Sequence, residues 1–217
     1  MKLFYHCNWF WCRLMFRFYF RWRVYHPERV PLQGPVILAS NHASFLDPPL
    51  IGSGIHREVC YLARESLFRF PVIGAGLRAV NAVPVDREGR GAAGLKTILD
   101  RLSDGQVVLL FPEGTRTQDG RLQPVRSGVG LAVIKSGAPV VPVRVFGTLQ
   151  AYNRKTFLPR PCQLAVKYGK PMNFAGLRAE AKTASKARLK QIYQEVADTI
   201  MATVAELEPC RDCEVFP

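Results

Sequence analysis

The chain has 217 residues, which is enough for one domain with a substantial hydrophobic core. Hydrophobic residues make up 48% and charged residues 22%, a mixture that excludes intrinsic disorder and collagen-like repeats. The formal net charge of +13 predicts an anionic partner, which is nucleic acid, an anionic membrane surface or a phosphorylated substrate.

Residues 1–27 hold 11 of the 23 aromatic residues and five Lys or Arg residues, with no Asp or Glu. Arg13, Arg17 and Arg21 recur every four positions, which predicts a basic stripe on one face of an amphipathic helix. Three arginines argue against a spanning helix, which needs about 20 mostly uncharged residues. We expect a helical segment that docks in the membrane interface. The alternatives are a helix packed on the protein's own core and a segment that binds nucleic acid.

From residue 28 to residue 217, short apolar runs alternate with amphipathic stretches, which is typical of an α/β domain. The predicted strands are Val36–Ala39, Val59–Ala63, Ala79–Val85, Val107–Phe111, Val140–Phe146 and Leu164–Tyr168. The predicted helices are Pro48–Ile55, Phe70–Leu77, Gly91–Leu102, Gly128–Ser136 and Ser185–Glu206. We therefore expect a single domain with a mixed, mostly parallel sheet flanked by helices, preceded by the N-terminal segment 1–27.

The most informative motif is Asn41-His42-Ala43-Ser44-Phe45-Leu46-Asp47, which follows the first of these predicted strands. Ligands bind at strand ends in α/β sheets. His42 can act as a base near neutral pH, and Asp47 can orient its ring. Side chains five residues apart point in different directions on a helix, so His42 and Asp47 can pair only across a turn. Asp47 before Pro48 equally suits a helix cap, with His42 an ordinary buried histidine. These seven residues leave both interpretations open.

Three further motifs follow strands or lie within them. Phe111-Pro112-Glu113-Gly114-Thr115-Arg116 offers a glycine for close backbone approach and a guanidinium for phosphate. Glu113 can orient Arg116 or bind a substrate hydroxyl. Val83-Pro84-Val85-Asp86-Arg87 offers a second phosphate ligand in Arg87, and Val141-Pro142-Val143 is apolar. A surface turn with a solvated ion pair is the alternative for the first of them.

Cysteines and histidines give no metal-binding pattern. Cys210 and Cys213 form a lone pair, half of the usual zinc set, and no secretory signal precedes the six cysteines, so we expect reduced thiols. The remaining histidines have no ligand spacing with His42. We therefore expect no bound metal.

Taken together in chain order, which places Val83–Arg87 before Phe111–Arg116, the four motifs resemble the glycerolipid acyltransferase family, most closely the bacterial 1-acyl-sn-glycerol-3-phosphate acyltransferases. The resemblance covers about residues 30–175. The segment 1–27 also looks like the membrane-docking helices of that family. One departure is Val125-Arg126-Ser127-Gly128, which stands where family members often carry a Lys-x-Gly block and keeps the charge with a different shape.

The resemblance implies that His42 is the general base, which takes the proton from an acceptor hydroxyl, and that Asp47 orients it. The hydroxyl oxygen then attacks an acyl thioester directly. The residues implied to bind the acceptor are Arg87, Glu113, Gly114, Thr115 and Arg116. The implied reaction converts lysophosphatidic acid to phosphatidic acid, with acyl-CoA or acyl carrier protein as co-substrate and without a cofactor.

The expected partners are anionic membrane lipids, the acyl donor and the lysophospholipid, and nucleic acid is not expected. The expected location is the cytoplasmic face of the cell membrane, as a peripheral or monotopic protein. The alternative acceptors are glycerol 3-phosphate and another lysophospholipid. A non-catalytic basic protein that binds membranes or nucleic acid would explain the charge but not the four motifs together.

Overall fold

The computed structural model describes residues 2–85 and 92–208. Within these ranges one sheet has seven strands. The strands are β1 (Arg23–Tyr25), β2 (Val36–Ser40), β3 (Val59–Arg64), β4 (Ala82–Val85), β5 (Val107–Leu110), β6 (Val140–Phe146) and β7 (Ala165–Tyr168). The helices are α1 (Lys2–Phe18), α2 (Asp47–Ser53), α3 (Pro71–Ala79), α4 (Ala92–Ser103), α5 (Gly128–Ser136), α6 (Thr148–Ala151), α7 (Ala175–Ala181) and α8 (Lys186–Glu206). Two short 3-10 helices span Pro27–Arg29 and Glu65–Arg69.

The strand order is β1-β7-β6-β2-β5-β3-β4, and every neighbouring pair is parallel except β6 with β7. All five residues of β2 and all four of β5 are buried. Strands with both faces covered by helices read as continuous apolar runs, which is why the sequence pattern identified them. The predicted mixed, mostly parallel sheet flanked by helices is confirmed.

Two hydrophobic clusters lie on opposite faces of the sheet. On one face, Val36 and Leu38 of β2 pack with Leu50 of α2 and Phe16 of α1. On the other face, Ile37 of β2 packs with residues of α5 and α8. Successive strand side chains point to opposite faces, so one strand supplies both clusters. This double layer holds β2 rigidly at the centre of the sheet.

The N-terminal helix is shorter than the predicted helical segment. Helix α1 ends at Phe18, and residues 23–25 form edge strand β1, which pairs with β7. Arg21 has a φ of 45° and lies beyond the helix end. Arg13 points inward, where its Nη1 donates to Ser53 O at 2.8 Å and its guanidinium lies over the Trp9 ring. The prediction that three arginines lie along one helical face is therefore wrong for Arg21, which is not in the helix.

Helix α1 has two apolar faces rather than one. Tyr5 and Phe16 are buried against the core. The opposite face exposes apolar side chains whose spacings of three, four and seven residues keep them on one side of the helix: Leu3, Phe4, Phe10, Trp11, Met15 and Phe18. The helix is thus packed on the protein's own core and still presents an apolar stripe to its surroundings. Within the described ranges, no helix has the length and hydropathy that crossing a bilayer requires.

The other predicted elements differ from the observed ones mainly at their ends. Strand β4 begins at Ala82, three residues after the predicted start at Ala79, because α3 continues to Ala79 and Asn81 adopts a left-handed φ of 62°. The Asn81 amide donates to Val59 O, which fixes this turn. Elements β1, α6 and α7 were not predicted, because they are short or irregular in pattern.

The crossing of α5 and α8 gives a direct test of the packing on the second face. A Cβ at Gly130 would lie 1.9 Å from Tyr193 O, whereas a Cβ at Gly128 in the same helix meets no atom within 4 Å. We expect Gly130→Ala to lower the free energy of unfolding by about 1–3 kcal/mol through overpacking.

The matched control, Gly128→Ala, changes the free energy of unfolding by no more than about 1 kcal/mol, in the stabilising direction. Denaturant unfolding of both variants measures the difference. Equal free energies of unfolding for the two variants would contradict this description of the helix crossing.

Candidate active site

The site begins where β2 ends, because Asn41 extends the strand with its side chain. Its Oδ1 accepts from Val145 N at 2.9 Å, and its Nδ2 donates to Val145 O at 3.2 Å. The amide thus imitates a backbone pair between β2 and β6. The chain then turns through His42–Leu46 before α2 starts at Asp47 with prolines in its first turn.

The buried carboxyl of Asp47 closes this turn. Its Oδ2 accepts from His42 Nδ1 at 2.8 Å, from Ala43 N at 2.6 Å and from Ser44 N at 2.7 Å. The Asp47 side chain therefore bonds the residues before it, and α2 has no side-chain cap. The sequence left open whether Asp47 caps a helix or pairs with His42, and the structure brings the two side chains together.

This geometry suits one tautomer of the neutral His42 ring. An ionised Asp47 carboxylate can only accept, so the Nδ1 that it contacts would be the N–H donor. In that tautomer Nε2 carries the lone pair. His42 is only 11% exposed through its side chain and lines a cavity, so Nε2 is the ring atom available to a proton donor in that cavity.

Residues of the motif after β5 contact the ring and the backbone of His42. The ring of Phe111 stacks on the His42 ring with centroids 3.8 Å apart and planes 14° apart. Glu113 Oε1 accepts from His42 N at 2.9 Å, and Thr117 N donates to His42 O at 2.8 Å. The two motifs therefore form a single structure in which one fixes the ring and backbone of the other.

Glu113 is buried, with 2% of its surface exposed. Its second oxygen, Oε2, accepts from Gln123 N at 2.8 Å. Burial raises the pKa of Glu113, while the hydrogen bonds from Gln123 N and His42 N oppose that rise. Both carboxyl oxygens thus hold backbone N–H groups, an arrangement that suits a residue positioning His42.

A cavity of about 660 Å³ opens beside His42. It reaches from the His42–Asp47 turn to the inner face of α1, and most of its wall is apolar. Its lining includes Trp9, Leu62, Leu67, Leu77, Val80 and Phe111. This volume is in the range of small-molecule sites, and the lining suits a hydrocarbon chain.

Three arginines line the same cavity: Arg64, Arg116 and Arg154. Arg64, the last residue of β3, and Arg154 are exposed, and Arg116 is half-buried with its guanidinium 3.5 Å from the centroid of the Phe45 ring. Guanidinium groups bind phosphate through paired N–H donors. The cavity therefore combines an apolar wall, a cationic rim and the His42 ring.

The other predicted acceptor-binding residues differ in position. Thr115 is exposed and lines the cavity, and Gly114 has a φ of 70°, which favours glycine. Arg126 passes close to Gly114, since a Cβ there would lie 3.0 Å from Arg126 Cδ and Nε. Arg87 lies outside the described residues, as do Cys210 and Cys213. Val141-Pro142-Val143 is buried within β6 and is not part of the cavity lining.

Sequence reasoning missed Arg64, Arg154 and the stacking role of Phe111. Arg64 ends a strand as Arg87 follows one, so the strand-end rule that singled out Arg87 also applies to Arg64. Arg154 lies in a loop without periodicity, and only the fold brings it to the cavity. No group of three His, Cys, Asp or Glu side chains in the described ranges is arranged to hold a metal ion.

Comparison with known proteins identifies relatives over the region that carries these motifs. The Acyltransferase family model matches residues 21–146. The 1-acyl-sn-glycerol-3-phosphate acyltransferase of Bacillus subtilis is 33% identical over 126 residues, which is 58% of this chain and 62% of the relative. The chloroplastic enzyme BAT2 of Brassica napus is 36% identical over 116 residues, 52% of this chain and 33% of the relative. The chain thus matches less than two thirds of either relative's length.

A solved structure shares the fold. The crystal structure of the 1-acyl-sn-glycerophosphate acyltransferase PlsC from Thermotoga maritima aligns with a TM-score of 0.71 and 24% identity, over 94% of this chain and 81% of that one. The family match covers more than half of the chain, and it contains both the His42–Asp47 turn and the Phe111–Arg116 motif. As the motif order predicted, the chain belongs to the Acyltransferase family.

Proposed function

We propose that this protein transfers a fatty acyl group from an acyl thioester to the hydroxyl of lysophosphatidic acid and so makes phosphatidic acid. One observation carries the proposal: His42 lies where an apolar cavity meets three arginines. An acyl chain, a phosphate and a reacting hydroxyl need these three environments together. The relatives in Bacillus and Brassica carry the corresponding name.

In the proposed reaction, His42 Nε2 takes the proton of the acceptor hydroxyl as its oxygen attacks the thioester carbonyl carbon. The carbon–sulfur bond breaks, and the thiolate leaves with the proton returned from the imidazolium. Asp47, through Nδ1, holds the ring in place and stabilises its positive charge during the transfer. The acyl group passes directly between the substrates, without a bond to the enzyme.

The proposed acceptor phosphate binds at the cationic rim. Arg116 and Thr115 come from the predicted motif, and Arg64 and Arg154 join them at the same cavity. Arg87 and Gly114 remain predicted acceptor ligands, because nothing in the described geometry tests them. The net charge of +13 raises the local concentration of an anionic acceptor, whichever of these residues binds it.

We further propose that α1 docks the site on an anionic membrane surface, at the cytoplasmic face of the cell membrane. The outward apolar stripe of α1 supports this, since such a face lies in the headgroup and acyl boundary of a bilayer. The cavity extends to the inner face of the same helix, so a lipid substrate has a short path from bilayer to His42. The donor is acyl-CoA or acyl carrier protein.

A panel of acceptors with one labelled acyl-CoA donor tests the function. We expect turnover of lysophosphatidic acid to exceed that of glycerol 3-phosphate and of lysophosphatidylcholine, because only lysophosphatidic acid supplies both a phosphate monoester and an acyl chain. Lipid extraction and scintillation counting measure the product. Preferred turnover of glycerol 3-phosphate would move the assignment to that acceptor, and no transfer to any acceptor would refute it.

Glu113→Gln separates a positioning role from substrate binding. The substituted amide turns an N–H₂ group towards a backbone N–H, which breaks one of the two bonds that hold His42 N and Gln123 N. We expect kcat to fall by about 10- to 100-fold through misplacement of the base, with little change in the KM for the acceptor.

Steady-state kinetics measures both constants, and the surface variant Glu180→Gln, remote from the cavity, serves as the matched control. A rise in acceptor KM with kcat intact would show that Glu113 binds substrate, as its motif alone allows.

A further inference from the structure

The loop after α6 exposes two large apolar side chains at its tip. Phe157 is 92% exposed and Leu158 is 69% exposed. Exposed Arg154, Lys155 and Arg160 flank them, and the sequence has no Asp or Glu between Asp119 and Glu180. An aromatic and an aliphatic residue between cations is a composition suited to an anionic bilayer surface.

Internal hydrogen bonds hold this loop in shape. Arg160 N donates to Ala151 O at 2.8 Å, which closes the loop at its base. Asn153 N donates to Thr156 Oγ1 at 2.9 Å, and Lys155 N donates to Asn153 Oδ1 at 2.8 Å. The tip is therefore presented by an ordered turn, which lowers the entropy cost of inserting it.

The loop is also joined to α1 and to the catalytic turn. Tyr19 Oη donates to Pro159 O at 2.9 Å, next to Phe18, which is 75% exposed at the end of α1. At the other end, Ser44 Oγ donates to Tyr152 O at 2.5 Å. The loop thus links the outward stripe of α1 to the turn that carries His42.

We propose that the loop 152–160 is a second membrane-contact element, which inserts Phe157 and Leu158 into an anionic leaflet beside α1. The partner is a bilayer rather than nucleic acid or an acidic protein. Arginine and lysine would serve those partners equally, but a Phe-Leu tip adjacent to an exposed apolar helix face gains free energy only where hydrocarbon is available. Arg154 lines the cavity, so the loop would set the cavity entrance at the lipid surface. The inference deepens the proposed function, on whose membrane docking it rests.

Vesicle flotation tests the proposal with single variants of the full chain. The probes are vesicles of phosphatidylcholine with about one quarter phosphatidylglycerol, and pure phosphatidylcholine vesicles. We expect Phe157→Ser and Leu158→Ser each to lower the partition coefficient about three- to tenfold on the anionic vesicles. The matched control is Leu32→Ser, because Leu32 is 82% exposed but precedes the N-terminal end of β2, whereas the site follows the C-terminal end.

Removing the basic charges of the loop gives an independent test of the proposal. Lys155→Gln with Arg160→Gln should reduce the dependence of binding on anionic lipid and on salt, since each basic residue contributes near the surface. The control removes two exposed charges elsewhere, in Lys182→Gln with Lys190→Gln. Thermal unfolding is measured for every variant, and Phe157→Ala replaces Phe157→Ser if the serine lowers the melting temperature.

The outcomes separate this inference from the proposed function. Three results would overturn the loop assignment. The first is a wild-type partition coefficient for both tip variants, and the second is an equal fall in the partition coefficient of Leu32→Ser. The third is a loss that appears only in binding to an acidic carrier protein and not to vesicles. Transfer between monodisperse substrates should be unchanged in the tip variants. If the chain transfers no acyl group but flotation still depends on Phe157, the proposed function fails while the loop assignment stands.

Discussion

The Oδ2 atom of Asp47 accepts three hydrogen bonds, from the His42 ring and from the backbone of Ala43 and Ser44. One buried oxygen therefore fixes the shape of the turn and the orientation of the imidazole. A charge-assisted set of this kind is strong because the surroundings exclude water. The proposed role of His42 as a base in the cavity depends on this oxygen.

The remaining constraints on His42 come from the sheet. Neighbouring parallel strands β2 and β5 end at the same edge, so the segments after them meet, and Phe111 and Glu113 bond the ring and backbone of His42. Helix α1, which has one face in the core and one outside, contributes part of the lining of the cavity beside them. The His42–Asp47 turn, the three cavity arginines and the helix with an exposed apolar stripe are thus parts of one packed unit.

Much of this could be predicted from the sequence. Buried parallel strands are continuous apolar runs, and the motifs after β2 and β5 meet at one edge of the sheet, as their place after strands predicted. The inward direction of Arg13 could not be predicted, because its partners Trp9 and Ser53 come together only through packing of α1 on α2. Strand β1 has three residues, too few for a periodic signal. Glu113 carries a typical substrate-binding pattern, and only its burial and its two backbone partners reveal that it holds the turn.

The proposed chemistry requires His42 to act as the base and Asp47 to hold it in position. The most direct measurement is the single-turnover rate of acyl transfer by His42→Ala with both substrates saturating, compared with His56→Ala, whose residue is an exposed histidine outside the cavity lining. We expect a fall of about a hundredfold or more for His42→Ala alone, with the native circular dichroism spectrum and vesicle binding retained. A folded His42→Ala protein that transfers the acyl group at the wild-type rate would contradict it.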